Sequence, residues 1–289
     1  MFAPPQIRLL PDGRRLHLNH GPIDLIVEAF GARAEIAAAY RQAAARFPDI
    51  LPTLAGELDR LRRPLSPPRW RPDGPVARRM VAACWPWRAE FVTPMAAVAG
   101  AVADEMLAAL TAGRQLARAY VNNGGDIALH LAHGESLTAG LVADCQLPAI
   151  DATCRLAAEL PVRGLATSGW KGRSHSLGIA DSVTVLAGTA AAADVAATLI
   201  ANAVNAEDAA IERRPACDLD PDSDLGDRPV TVAVGALDAA TVADALDTGA
   251  AAAQAAEQAG HITAAVLVLQ RHYRVVGAVP AGLVAAHAA

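Results

Sequence analysis

Three short segments of this chain combine residue types that can hold a phosphorylated ligand or a cation. The first is Asn122-Asn123-Gly124-Gly125-Asp126. Adjacent glycines remove side-chain bulk, so a ligand can reach main-chain N–H groups, and the flanking amides and carboxylate add polar contacts. The same string also reads as a plain hairpin turn, because asparagine and glycine tolerate positive φ. The second segment runs from Thr167 to Asp181 and includes Ser168, Gly169, Lys171, Arg173, Ser174, His175 and Ser176. That density of donors suits phosphate or carboxylate. His175 and Asp181 are its candidate catalytic groups, since an imidazole can act as general acid or base near neutrality. A solvated loop is the alternative reading. The third is Asp194-Val195-Ala196-Ala197-Thr198. Asp194 and Thr198, four apart, share one face of a helix. A carboxylate among alanines is costly unless something pairs with it. A divalent cation held by Asp194, the Thr198 hydroxyl and main-chain carbonyls would offset that cost, and an exposed position for Asp194 would remove it.

The elements around these segments follow from pattern and punctuation. Arg8 to Leu10 and Arg15 to Leu18 flank Pro11-Asp12-Gly13, a hairpin signal, and Ile23 to Ala29 is an apolar strand-like run. Helices are expected over 32–46 and 50–61. Five prolines between 63 and 75 demand an extended connection, which is either a boundary between lobes or a strap. Thr93 suits an N-cap and Pro94 a first helical turn, and Met95, Val98, Val102 and Met106 recur at helical spacing. A strand over 117–121 leads into the double-glycine turn, and alternation continues beyond it. Short apolar pieces at 165–169 and 182–186 bracket the second segment. A helix over 190–204, an acidic loop over 208–228, a strand over 230–234, a helix over 239–258 and a hairpin from His261 to Val279 complete the order. Hairpins and long helices follow one another without the regular alternation of a parallel α/β barrel, which predicts an α+β fold of mostly antiparallel sheets packed with long Ala-rich helices.

Composition bounds the function classes. The chain has 289 residues, 53% of them hydrophobic but only 4% aromatic, which suits closely packed small-residue helices in one large domain or two lobes. The net charge of −5 gives no general basic field for nucleic acid. The opening residues do not read as a signal peptide, and no uncharged apolar run of spanning length stands out, so a cytoplasmic, non-membrane protein is expected. Cys84, Cys145, Cys154 and Cys217 lie at no metal-like spacing and read as reduced thiols. Asp218, Asp220, Asp222 and Asp224 alternate like calcium ligands, but Pro221 intrudes and the expected glycine is missing. Serine-hydrolase, Walker and zincin motifs are absent.

The segments fall in an order that resembles the ApbE flavin transferase superfamily: Asn122 to Asp126, Ala166 to Gly169, Ser182 to Val185, and Ala193 to Thr198. The strings Phe91 to Gly100 and Gly172 to Asp181 look like the UPF0280 branch of it. The resemblance implies an ApbE/T-fold-like architecture, FAD or FMN as cofactor, and Mg²⁺ held by Asp194 and Thr198. It also implies a cofactor pocket drawn from Thr93, Met95, Asn122, Asn123, Gly124, Gly125, Asp126, Thr167, Ser168, Gly169, Arg173, Ser174 and Ser176. A Mg²⁺-dependent FMN transferase or FAD-pyrophosphate-cleaving enzyme with a protein acceptor follows by resemblance, while the closely packing small-residue helices by themselves allow a homodimer. Two features depart from the transferases. Their His-Ile-x-Asp-Pro-x-Thr-Gly stretch is replaced here by Trp170 to Asp181, and their lysine before the Gly-Gly turn is missing from Pro94 to Val98. These departures leave open a non-catalytic cofactor-binding or assembly protein, or action on a pterin-like cofactor.

Overall fold

The first strands pair because their apolar residues alternate and the turn between them is chemically set. Strand β1 (Gln6–Leu9) pairs antiparallel with β2 (Leu16–His20). The Asp12 carboxylate accepts the Arg14 and Arg15 amides at 2.9 and 3.0 Å inside the turn. These bonds hold its pKa well below the ordinary carboxylate value. The structure, a computed structural model, describes residues 3–141, 152–172 and 174–278. Contacts divide the chain into two units, one built from 1–137, 157–165 and 188–195, the other from 138–156, 166–187 and 196–289.

In the first unit β2 continues to β3 (Ile23–Gly31), followed by helices α1 (Arg33–Arg46), α2 (Ile50–Leu61), α3 (Pro75–Cys84) and α4 (Val98–Thr111). Strands β4 (Leu116–Asn123) and β5 (Asp126–Leu131) extend the antiparallel ladder. One sheet face buries Leu18, Leu25, Val27, Ala119 and Val121. Burying a Leu or Val side chain contributes roughly 1.5–3 kcal/mol. Phe47, Met80, Met106 and Leu110 fill the helical side of this core. Helix α3 is absent from the sequence expectation because prolines dominate the residues before it, yet Pro75 sits at the helix start, where a missing N–H costs nothing.

The run Pro94–Thr111 has a mean hydropathy of 1.3 over 18 residues, long and apolar enough to span a membrane by length and composition. It is not the uncharged run whose absence was expected, because Asp104 and Glu105 lie within it. Its two acids are engaged inside the unit: Asp104 accepts main-chain amides, and Glu105 pairs with Arg46 and Arg79 at 3.1 and 3.0 Å. Those partners and the burial of Ala101, Val102 and Met106 make α4 a core helix.

The remaining elements are β6 (Ser136–Leu141), β7 (Ala152–Ala157), β8 (Gly164–Ser168), β9 (Ser182–Ala187), α5 (Ala190–Ala203), β10 (Ile211–Pro215), α6 (Ala216–Leu219), β11 (Pro229–Val234), α7 (Ala239–Gln258), β12 (Ala264–Leu269) and β13 (His272–Gly277). The boundary between units falls within β8 and within α5. The opening residues of β8 pair with β5 in the first unit, Leu165 opposite Ile127. Its later residues lead the second unit's order β8-β9-β12-β13. Gly249 lets α7 lie close on this sheet, because a Cβ there would meet the Val204 and Leu267 side chains. Strands β10 and β11 form a separate antiparallel pair, as do β6 and β7 a two-stranded sheet.

The α+β class expected from the order of elements is what the chain adopts. One correction concerns 208–228, expected as an acidic loop. It holds β10 and α6, because Ile211 and Ala216 are buried while Glu212 between them faces outward. Cys84, Cys154 and Cys217 are free thiols. Cys145, Arg173 and Val279 lie outside the described residues.

Candidate functional site

In the first unit, Thr93 starts the segment that leads into α4. Its Oγ1 accepts the Met95 amide at 3.2 Å, and Pro94 occupies the first turn, as their residue types predict. The short turn Pro94–Ala97 delivers the chain into α4 with Ala99 and Gly100 in its first turn. A helix start leaves several N–H groups without intrahelical partners. Asp194 Oδ2 accepts the Gly100 amide at 2.9 Å.

Beside this helix start lies the β4–β5 turn. Asn123 and Asp126 face each other across Gly124-Gly125, whose φ values are +65° and +114°. This is the two-residue hairpin that the string allows, and only glycine takes both conformations without strain. Asn122 Oδ1 accepts the Gly125 amide at 2.8 Å, closing the turn from within. Asn123 Nδ2 donates to the Ala99 carbonyl at 3.1 Å, which ties the turn to the start of α4. The hairpin is therefore structural, and it also brings the Asp126 charge near Asp194.

The Asp194 carboxyl is pushed well above the ordinary carboxylate value. Burial is the largest cause, the Asp126 charge comes next, and Asp104 adds to it, while the Gly100 and Ala99 amides act in the opposite direction. Asp194 nevertheless keeps part of its surface accessible. A buried carboxyl that feels the charges of two further carboxylates takes a proton or a cation readily. Thr198 stands one helical turn further along α5, also partly accessible. Among the described residues no group of three His, Cys, Asp or Glu side chains converges as a metal centre.

Sequence reasoning missed Asp104. Its carboxylate accepts the Ala190 and Ala191 amides at the start of α5, at 3.0 and 2.9 Å. Burial nonetheless raises its pKa. The signal was available, since Asp104 sits in an alanine-rich helix just as Asp194 does, and the same cost argument applies to both. Gly100 makes the close crossing possible: a Cβ there would run into the Ala190 carbonyl.

The second unit holds the other candidates. Thr167 and Thr184 share a hydroxyl hydrogen bond of 2.8 Å between β8 and β9. Gly169 is required where it stands, because a Cβ would strike the Asp181 and Ala180 carbonyls. Asp181 is heavily engaged: the Lys171 ammonium lies 3.2 Å from Oδ1, the Trp170 indole donates to Oδ1 at 3.3 Å, and the Gln270 amide donates to Oδ2 at 2.6 Å. Those bonds pin both ends of the 170–181 segment, and Gln270 is a further residue that sequence reasoning did not single out. The Ser176 hydroxyl donates to Asn202 Oδ1 at 3.2 Å, and the Leu177 amide reaches the same oxygen at 2.9 Å. Ser176 is buried, Ser174 is exposed, and His175 and Ser168 are intermediate. Among the described residues the His175 ring has no hydrogen-bond partner.

The chain matches, over residues 7–278, the family model described as AbpE bacteria. It is 39% identical over 137 residues to a UPF0280 protein of Methanothermobacter thermautotrophicus, covering 47% of this chain and 51% of that protein. A UPF0280 protein of Methanopyrus kandleri is 39% identical over 142 residues, covering 48% and 54%. The chain spans about half the length of the curated relatives it matches. These matches bear out the UPF0280 resemblance. A slight likeness links it to the crystal structure of Pseudomonas stutzeri flavinyl transferase ApbE in its apo form. That likeness has a TM-score of 0.34 and 13% identity, over 86% of this chain and 74% of that one.

Proposed function

The chain belongs to the family described as AbpE bacteria, and from that premise we propose that it binds a flavin nucleotide or a related phosphorylated cofactor with the help of Mg²⁺. The observation that carries the reading is the state of Asp194: partly accessible, raised in pKa by burial and by Asp126 and Asp104, with Thr198 one turn away. A divalent cation at that position would neutralise charge on a bound pyrophosphate. Asp194 itself holds the start of α4 through the Gly100 amide, so the carboxylate is oriented before any ligand arrives. The Gly124-Gly125 turn presents backbone free of side chains next to Asp126, which lets a ligand approach the hairpin closely. The resemblance extends this reading to an FMN transferase or an enzyme that splits the FAD pyrophosphate.

Titrating the protein with Mg²⁺ and FAD by calorimetry tests the binding. FAD retention that depends on Mg²⁺ and is lost in Asp194→Asn is the expected result. Absence of FAD, FMN and Mg²⁺ binding under all combinations would sink the reading.

A second reading, cofactor binding without turnover, is favoured by one observation. Asp181, a candidate catalytic group, has its oxygens taken up by Lys171, Trp170 and the Gln270 amide. Chromatography of a reaction with FAD and Mg²⁺ separates the two readings: FMN released or transferred supports the enzyme, and unchanged bound FAD supports the binder.

A further inference from the structure

Residues 60–88 contain eight arginines and a single carboxylate, Asp73, in a chain whose net charge is −5. Three of the four tryptophans fall in the same stretch. The arginines and the indoles are arranged against each other. The Arg60 guanidinium lies over the Trp70 ring at 4.5 Å, and Trp85 has Arg69 at 5.6 Å and Arg88 at 5.0 Å. Arg60, Arg69, Arg71 and Arg88 are exposed.

The connection between α2 and α3 is not a loose strap. Glu57 accepts the Asp73 and Gly74 amides at 2.8 and 3.1 Å, and the Leu65 amide donates to the Val92 carbonyl at 3.1 Å. The cationic surface is thus held in place before it meets a partner, which lowers the ordering cost of association.

The stacking decides what kind of anion fits. The Trp70 and Trp85 rings already stack on guanidinium groups of the protein itself, which leaves them less open as platforms for nucleobases or as anchors in a lipid interface. A guanidinium stacked on a ring keeps its in-plane N–H donors directed outward, and those donors match a carboxylate two at a time. Carboxylates on a folded protein segment are the best match.

Such a segment exists in this same chain. Residues 207–227 hold eight acids against two arginines, and Asp218, Asp220, Asp222 and Asp227 are exposed. Arg213 is turned inward on Asn205 and the Ala206 carbonyl. The acidic segment is also ordered: the Cys217 amide donates to the Gly226 carbonyl at 2.9 Å, and Asp220 Oδ1 accepts the Asp222 amide at 2.9 Å. We propose that the arginine–tryptophan surface of residues 60–88 docks the acidic 207–227 segment of a second copy of this chain. Each copy carries one surface of each kind, and a self-complementary pairing of that sort is a two-fold dimer. Exposed charge pairs give modest affinity that weakens with salt, because counterions screen them beyond about 8 Å at physiological ionic strength.

Sedimentation of the full chain at low and high salt, with charge-reversal variants, tests this. The wild type is expected to dimerise at low salt and to dissociate at least tenfold more readily in high salt. Arg69→Glu with Arg71→Glu, or Asp218→Arg with Asp222→Arg, should each leave a folded monomer, with folding checked by circular dichroism. Mixing the two reversed variants should restore a dimer, because the reversed surfaces complement each other while the remaining pair is native. A wild type that stays monomeric at low salt overturns the proposal. So does a dimer unaffected by both reversals, or a mixture of folded variants that fails to pair. RNA or anionic vesicles captured by the monomer in place of self-association would point to the other class of partner and likewise overturn it.

Discussion

Asp104 and Asp194 each cap the helix that carries the other. The Asp104 carboxylate, on α4, accepts the Ala190 and Ala191 amides of α5, and Asp194 Oδ2, on α5, accepts the Gly100 amide of α4 at 2.9 Å. Helix α4 has no capping side chain of its own, since Ala97 precedes its first turn, whereas at α5 the Thr189 hydroxyl accepts the Ala192 amide at 3.1 Å beside the two amides that Asp104 takes. The reciprocal arrangement locks the two helix starts together at the point where Gly100 permits close approach. It also explains why two carboxylates survive in alanine-rich surroundings: each meets main-chain N–H groups at the positive end of a helix.

The first prediction concerns pH. Asp194 has a folded pKa raised above its unfolded value, so its contribution to stability is fully present below about 3.8 and is lost as pH rises through the raised value. Asp194→Asn keeps an acceptor for Gly100 without the charge. In metal-free buffer the variant should melt higher than wild type at pH 7, by a few degrees on the order expected for about 1 kcal/mol. The gap should close as pH falls toward 4. Added Mg²⁺ should raise the melting temperature of the wild type only, and melts in matched buffers check both points.

Removing the other cap should cost stability directly. Asp104→Ala leaves the Ala190 and Ala191 amides without their carboxylate, a loss of about 1–2 kcal/mol. Urea unfolding measures it, and an unchanged midpoint would argue against the capping role.

Gly100 and Gly125 should respond differently to alanine. At Gly100 the added Cβ meets the Ala190 main chain, and the helices must separate, so loss of soluble folded protein or more than about 3 kcal/mol is expected. At Gly125 there is open space but φ is +114°, so the cost is conformational and about 1–2 kcal/mol. Parallel thermal melts of the two variants make the comparison.

Asp181→Asn should loosen the segment Trp170 to Asp181. The Lys171 pairing is lost and the acceptors for Trp170 and the Gln270 amide weaken, at a cost of about 1–3 kcal/mol. Trp170 is a spectroscopic reporter of its own contact, so a red-shifted emission difference between wild type and variant is expected. Unchanged emission would mean that the indole does not rest on Asp181.

Tyr120 gives an alkaline test of the first unit. Its hydroxyl donates to Glu28 at 3.0 Å, and burial first, then Glu28, push its pKa up to about 12. A raised pKa contributes stability that is present below the ordinary value of 10 and disappears as pH rises through about 12. The difference in phenolate absorbance between wild type and Tyr120→Phe should therefore titrate near 12. A difference that titrates near 10 would contradict the contact.

The sequence by itself determined many of the elements and the family likeness. The Pro11-Asp12-Gly13 turn signal placed β1 and β2, a compact apolar run placed β3, the Thr93-Pro94 pair announced the approach to α4, and α2 and α7 span the ranges expected for them. Such signals are legible because they depend on neighbours a few residues away. Helix α3 and the β10–α6 segment were not legible, since proline and acidic residues mask a periodicity that tertiary burial makes effective. The roles within the candidate site were decided by the fold. Asn122 to Asp126 is both a hairpin turn and the source of charge beside Asp194, and no local rule chooses between those readings. Asp181, read as a catalytic candidate, is held by Gln270, 89 positions away. Asp194 was singled out because a carboxylate in an alanine helix needs a partner. The partner that folding supplies is the start of α4, 94 residues back in the chain. Residue types fix what an interaction would cost, while only the packed chain fixes which distant group meets that cost.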